Sequence, residues 1–168
     1  MGEHGNETSL SAESIIAAQR ALLLTEFGKH VGRGDAYAII DFPDHGNVGD
    51  SAIYLGELSV LRELTGRDPS YVASLARFDA DALRRAAPTG PIFLHGGGNF
   101  GDVWPRHQQF REKMARIFKD RRLVQAPQSI QFQDDAAIQQ CVDSFGAHPD
   151  FHLMVRDRHS VTFAQEWL

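Results

Sequence analysis

The sequence predicts an α/β domain built on a doubly wound, mainly parallel sheet, and three observations predict it. Short apolar runs of strand length recur along the chain, each followed by a stretch with helical spacing of apolar residues. The segments richest in glycine and polar residues fall between a strand and the helix after it, where such sheets receive ligands. The composition, 42% hydrophobic and 23% charged over 168 residues, is that of one domain able to bury a core.

Residues 1–10 are polar and are expected to form a frayed tail, leaving 11–168 as the domain. From Ser11 to about Val31, Ile15, Ile16, Leu22, Leu23 and Phe27 recur at near-helical spacing, and "GRG" ends the run. This helix lacks the Lys/Arg-rich face of a membrane-surface helix, so it is expected to pack on the sheet. A strand at 37–42 leads to a helix from Ser51 to about Leu64, and a short strand at 70–74 leads to the short helix "DADALRRAA". The continuous apolar strand 91–95 runs into a glycine-rich turn and a helix from about Trp104 to Phe118. Strand 122–126, helix "DDAAIQQCVDSF", strand 151–156 and helix "RHSVTFAQEWL" complete an alternation of about five strands.

The formal net charge of −5 argues against a nucleic-acid partner held on a basic face. The runs "RRAA" and "KDRR" read as cations capping helix-end carbonyls. A single cysteine, Cys141, excludes an internal disulfide and a cysteine zinc cluster. It shares a helical face with Ile138, Val142 and Phe145, which marks it as core rather than nucleophile. The histidines show no metal-ligand spacing on one helix, so no metal is expected. No apolar run reaches membrane-spanning length and the start lacks a secretory pattern, so a reducing cytoplasm is the expected compartment.

Two turns stand out. "PDHGNVGD" follows the first strand, with Asn47 placed to cap the next helix and Asp50 at its third position. Gly46 and Gly49 are expected to supply unusual backbone angles there. That helix-entry chemistry leaves Asp44 and His45 unexplained, and His45 is the candidate general acid or base, with a plain surface histidine as the competing reading. The second turn, "HGGGNFGDVW", contains G-x-G-x-x-G but follows roughly the third strand and has no acidic partner after the next one, against a dinucleotide site. Its glycines Gly96, Gly97 and Gly98 are expected to expose backbone amides to an anion, since packing alone accounts for one or two of them. Neither turn carries a Walker lysine, and no G-x-S-x-G elbow is present. At the end of the last strand, "VRDRHS" sets Arg156 where it could grip a phosphate or carboxylate, while Asp157 or Ser160 could equally be a helix cap.

Taken together, "NVGDSAIYLGE", "GPIFLHGGGNFGDVWPRHQQFRE", "APQSIQF" and "VRDRHS" resemble the polysaccharide pyruvyl transferases, in particular the bacterial exopolysaccharide members. The resemblance covers most of residues 37–160 in the family's order. It implies one Rossmann-like half of a two-domain architecture similar to B-type glycosyltransferases, with the second half lying beyond Leu168. It implies transfer of the enolpyruvyl group of phosphoenolpyruvate to a sugar as a pyruvate ketal, with no cofactor besides this donor. The acceptor would be a sugar on a lipid or nucleotide carrier, met at the inner face of the membrane. Asn47, Gly49, Asp50, Gly96, Gly97, Gly98, Asn99, Gln128, Arg156 and Ser160 would then line the cleft, with His45, Asp44 and Asp50 supplying acid–base chemistry. This half alone would be impaired, and its open cleft face would invite self-association. A glycosyltransferase-like nucleotide-sugar domain and a non-catalytic scaffold are the rival readings.

Overall fold

The structure, a computed structural model, describes residues 11–168; the expected tail at 1–10 lies outside the described residues. Six strands form one sheet in which every pairing is parallel, so the doubly wound α/β expectation holds. The elements run α1 (Ala12–Gly28), β1 (Ala38–Ile40), α2 (Val48–Thr65), β2 (Tyr71–Ala73), a 3-10 turn (Leu75–Arg77) and α3 (Ala80–Ala86). They continue with β3 (Ile92–Leu94), β4 (Gly97–Phe100), α4 (Pro105–Ile117), β5 (Leu123–Ile130), α5 (Asp135–Gly146), β6 (Phe151–Val155) and α6 (Arg158–Trp167).

Alternation along the strands divides the core in two. Ala38, Ile40, Ile92, Leu94 and Leu123 face one side with Leu83 of α3, Met114 of α4 and Cys141 and Phe145 of α5. Tyr37, Ile39, Phe93, Val124 and Ala126 face the other with Phe27 of α1 and Leu58 and Leu61 of α2. Each buried Ile, Leu, Val, Phe or Met among them contributes roughly 1.5–3 kcal/mol. Cys141 is core, as expected, and burial pushes its thiol up to about 12, so it is no nucleophile at neutral pH. The arginine runs are also structural: Arg121 donates to the carbonyls of Ala87, Thr89 and Gly90, and Arg84 pairs with Asp120.

Three expectations need correction. The glycine-rich segment is not only a turn, because its residues 97–100 form β4, a sixth strand. β4 extends the edge that β3 leaves: Leu94 lies opposite Gln125 and Gly97 opposite Gln128. Correspondingly β5 does not stop at Ala126 but runs through Pro127 to Ile130. Proline has no N–H for a ladder, and here it falls in the gap between β3 and β4, where the β6 pairing also shifts register. Finally, α1 lies along α2 and reaches the core only through its second half, at Leu23, Leu24 and Phe27. Ile15, Ile16 and Leu22 stay exposed instead of packing on the sheet.

Candidate functional site

The carboxyl ends of β1, β3–β4 and β6 converge on an open cleft of about 510 Å³ lined by His45, Asn47, Asp50, Gly98, Asn99, Trp104, His107 and Arg156. A second depression of about 430 Å³ adjoins it, lined by Asp44, His45, Leu75, Ala76, Trp104, Pro105, Arg106 and His107. A larger hollow of about 640 Å³ between α4 and α5, lined by residues such as Arg116, Lys119 and Gln139, lies away from the strand ends where this fold places its chemistry.

Helix-entry chemistry builds the first wall. Asn47 caps α2, its Oδ1 accepting the Gly49 amide at 2.9 Å. The reciprocal half of the expected capping box is missing: the Asn47 amide donates to the His45 carbonyl. Asp50 is left free, and its carboxylate lies 3.6 Å from His45 Nε2 at the cleft surface. Gly46 and Gly49 do not adopt left-handed angles, contrary to expectation; the residue that does is Asp41, with φ 64° just after β1.

That left-handed Asp41 turns a buried carboxylate into the site's interior. It accepts from His107 Nδ1 at 2.9 and 3.0 Å, and the Arg111 guanidinium lies 3.7 Å away. A carboxylate can only accept, so His107 carries its proton on Nδ1 and leaves Nε2 free. Arg111 is fully buried, donating from Nε to Gln125 Oε1 at 2.9 Å and from a terminal nitrogen to the Asn99 carbonyl at 2.8 Å, with a further bond to Asn99 Oδ1. Burial draws its pKa down to about 10 against the pull of Asp41, so it stays charged at neutral pH.

A second buried pair supports the glycine-rich segment from below. Glu57 accepts from the Gly96 amide and from His95 Nδ1, both at 2.8 Å. Gln128, fully buried, joins Asn99 to the His95 carbonyl. Of the three glycine amides expected to face an anion, these bonds take that of Gly96. The amides of Gly96, Asn99 and Gly101 are taken by Glu57, Gln128 and Gln108.

Backbone geometry also accounts for most of the glycines. A Cβ at Gly96 would lie 2.6 Å from the Pro127 carbonyl oxygen, and Gly97 sits at φ 130°. A Cβ at Gly101 would lie 1.8 Å from the Gln131 carbonyl oxygen. Gly98 differs, because a Cβ there meets only the Arg156 side chain at 3.3 Å. Gly96→Ala is therefore expected to cost about 1–3 kcal/mol in urea unfolding. Gly98→Ala is expected to change stability by less than about 0.5 kcal/mol and to displace Arg156 instead. Equal stability for the two variants would contradict this division.

On the far wall, Asp157 caps α6 by accepting the Ser160 amide and also accepts the Ser129 hydroxyl. These bonds hold its carboxyl below the ordinary range, the Ser129 hydroxyl most of all. Arg156 donates from Nε to Ser129 Oγ at 2.9 Å, and among the described residues no carboxylate pairs with its guanidinium. Ser160 is fully buried, accepting the Ile130 amide.

Of the residues singled out from sequence, the cleft thus gathers His45, Asn47, Asp50, Gly98, Asn99 and Arg156, with Asp44 in the adjoining depression. Gly96, Gly97, Gln128 and Ser160 lie beneath the surface and shape it, and the Gly49 amide is spent on the cap. Sequence reasoning missed Asp41, Glu57, His95, His107 and Arg111. A signal existed for two of them. Glu57 falls four residues before Leu61 on the apolar stripe of α2, and Arg111 four before Ala115 on that of α4, where an unpaired charge would be costly. Among the described residues no three His, Cys, Asp or Glu side chains gather as a metal would require, and no helix is long and apolar enough to cross a membrane.

The chain is 35% identical over 161 residues to pyruvyl transferase 1 of Schizosaccharomyces pombe, covering 93% of this chain and 40% of that protein. It is 33% identical over 130 residues to the Bacillus subtilis protein named "Putative pyruvyl transferase EpsO", covering 76% of this chain and 38% of that one. The chain therefore spans about two fifths of the length of these relatives. The polysaccharide pyruvyl transferase family model matches residues 47–167, from the cap of α2 to the end of α6. On that match and these identities, the chain belongs to the polysaccharide pyruvyl transferase family.

Proposed function

We propose that this domain forms one wall of a site that transfers the enolpyruvyl group of phosphoenolpyruvate to two hydroxyls of a sugar, giving a pyruvate ketal and phosphate. The second wall comes from a further domain of the same protein. The observation that carries the reading is Arg156, a guanidinium with no carboxylate partner among the described residues, lining the same cleft as His107 and the His45–Asp50 pair. A forked cation suits the carboxylate or phosphate of the donor.

The chemistry balances on groups of this kind. One sugar oxygen bonds to C2 of the enol as a proton is delivered to C3, making the methyl group. The C2–O bond to phosphate then breaks, and the second hydroxyl closes the ketal. Of the two hydroxyl protons lost, one matches that gained by the methyl carbon and the other leaves with phosphate. His107, fixed through Nδ1 by Asp41, offers Nε2 for these transfers, with His45 and Asp50 beside it. The donor is a substrate, and no cofactor enters the scheme. A sugar on a lipid carrier would bring the protein to the cytoplasmic face of the membrane as a peripheral enzyme.

The test is incubation of full-length protein with phosphoenolpyruvate and a pyranoside acceptor. Phosphate should appear in step with a new ketal methyl signal by NMR. Turnover of nucleotide sugar with no phosphate from phosphoenolpyruvate would instead establish a glycosyl transfer, and full-length protein that binds neither substrate would be a scaffold; either result ends the pyruvyl reading.

A further inference from the structure

We infer that the depression beside the main cleft is the acceptor subsite, in which the exposed indole of Trp104 lies against the apolar face of a neutral pyranose. The inference rests on the pyruvyl-transfer reading for its role and on the local geometry for its chemistry. Trp104 precedes Pro105 at the start of α4 and leaves 58% of its surface exposed, unusual for so large an apolar group. Leu75 and Ala76, on the turn after β2, supply further apolar surface in a depression of about 430 Å³, within the usual range for small-molecule sites. Asp44 and Arg106 complete its polar lining. An apolar plane flanked by a carboxylate and a guanidinium matches a pyranose, which presents C–H groups on one face and paired hydroxyls around its edge.

The two depressions differ in charge and meet at three residues. Of these two depressions Arg156 lines only the main cleft, its side chain also bordering an apolar hollow beside α1 and α2, whereas Asp44 and Arg106 line only the other. His45, Trp104 and His107 line both. An anionic donor is therefore favoured on the Arg156 side and a neutral sugar on the Asp44 side. The imidazoles stand at the boundary, where a sugar hydroxyl must lose its proton to reach the enol carbon. This arrangement also gives a role to Asp44, which helix capping leaves unused.

These 168 residues contain two tryptophans, Trp104 and Trp167, so in the full-length protein a fluorescence change lost in Trp104→Phe but kept in Trp167→Phe reports on Trp104. Methyl glucoside, galactoside and mannoside are titrated against that protein by fluorescence, and phosphoenolpyruvate in parallel. At least one pyranoside should give a saturable change. By calorimetry, Trp104→Ala should weaken pyranoside binding about tenfold or more, and phosphoenolpyruvate binding, whose cleft it also borders, by several-fold less. Trp104→Phe, which keeps an aromatic plane, should retain most of the affinity and controls for a fold disturbed at the start of α4. Pyranoside affinity unchanged in Trp104→Ala, or no saturable binding of any of the three sugars, overturns the subsite. Sugar binding at Trp104 without phosphate release from phosphoenolpyruvate fails the transfer reading alone. Phosphate release with an acceptor KM indifferent to Trp104→Ala fails the subsite alone.

Discussion

Arg111→Met is expected to lower stability by about 3–5 kcal/mol, the scale for removing one partner of a buried ion pair. Methionine fills much of the arginine's volume, so the loss comes from groups left behind rather than from a cavity. Asp41 is 1% exposed at its side chain and would keep only His107 as a donor. The partly buried Asn99 carbonyl and the buried Gln125 Oε1 would lose theirs, and Asn99 Oδ1 would keep only the Gln128 amide. Arg111→Lys should recover little, because one ammonium cannot span Gln125, Asn99 and Asp41 as a planar fork does. Combining Arg111→Met with Asp41→Asn should cost less than the sum of the single variants by more than about 1 kcal/mol, since both act through one network. Urea unfolding with an unchanged m-value measures each term. Strict additivity would show that Asp41 and Arg111 act independently.

That network explains why the sheet was legible in the sequence and part of its site was not. Strands such as "PIFLH" announce themselves because burial on both faces requires a continuous apolar run, and residues 92–94 are fully buried as that predicts. β4 carries no such run. Its "GGNF" pairs with β5 because Gly96 can approach the Pro127 carbonyl and because Glu57 and Gln128 bind its amides, all effects of residues distant in the chain. Pro127 likewise reads as a strand end until the gap between β3 and β4 removes its need for a donor.

The site divides in the same way. His45, Asp50 and Arg156 were legible because residue type and a strand's carboxyl end suffice to place them at a cleft. Asp41 was hidden by its backbone. It closes an apolar strand, and only a left-handed φ of 64° directs it to His107, sixty-six positions away. The exposed Asp44–His45 pair drew attention for want of a turn role, while the more constrained histidine sat inside a helix that reads as ordinary.

The balance between those two histidines can be measured. His107→Gln is expected to lower the proposed pyruvyl transfer by the full-length protein about 10²- to 10⁴-fold, the usual scale for a positioned general acid or base. Stability should shift by less than about 1 kcal/mol, because glutamine can still donate to Asp41 from a half-buried position. His45→Gln should cost much less. Its imidazole is half exposed and, among the described residues, pairs only with Asp50, at 3.6 Å, so no buried partner there fixes its orientation. Asp41→Asn separates positioning from packing: a neutral amide no longer selects Nδ1–H on His107, so turnover should fall. The fall should exceed what lost stability explains when activity is measured well below the unfolding temperature. Comparable losses in turnover for His45→Gln and His107→Gln would mean that the pair shares the proton transfers. Loss for His45→Gln alone would return the acid–base role to the exposed histidine and leave Asp41 and His107 as structural partners of Arg111.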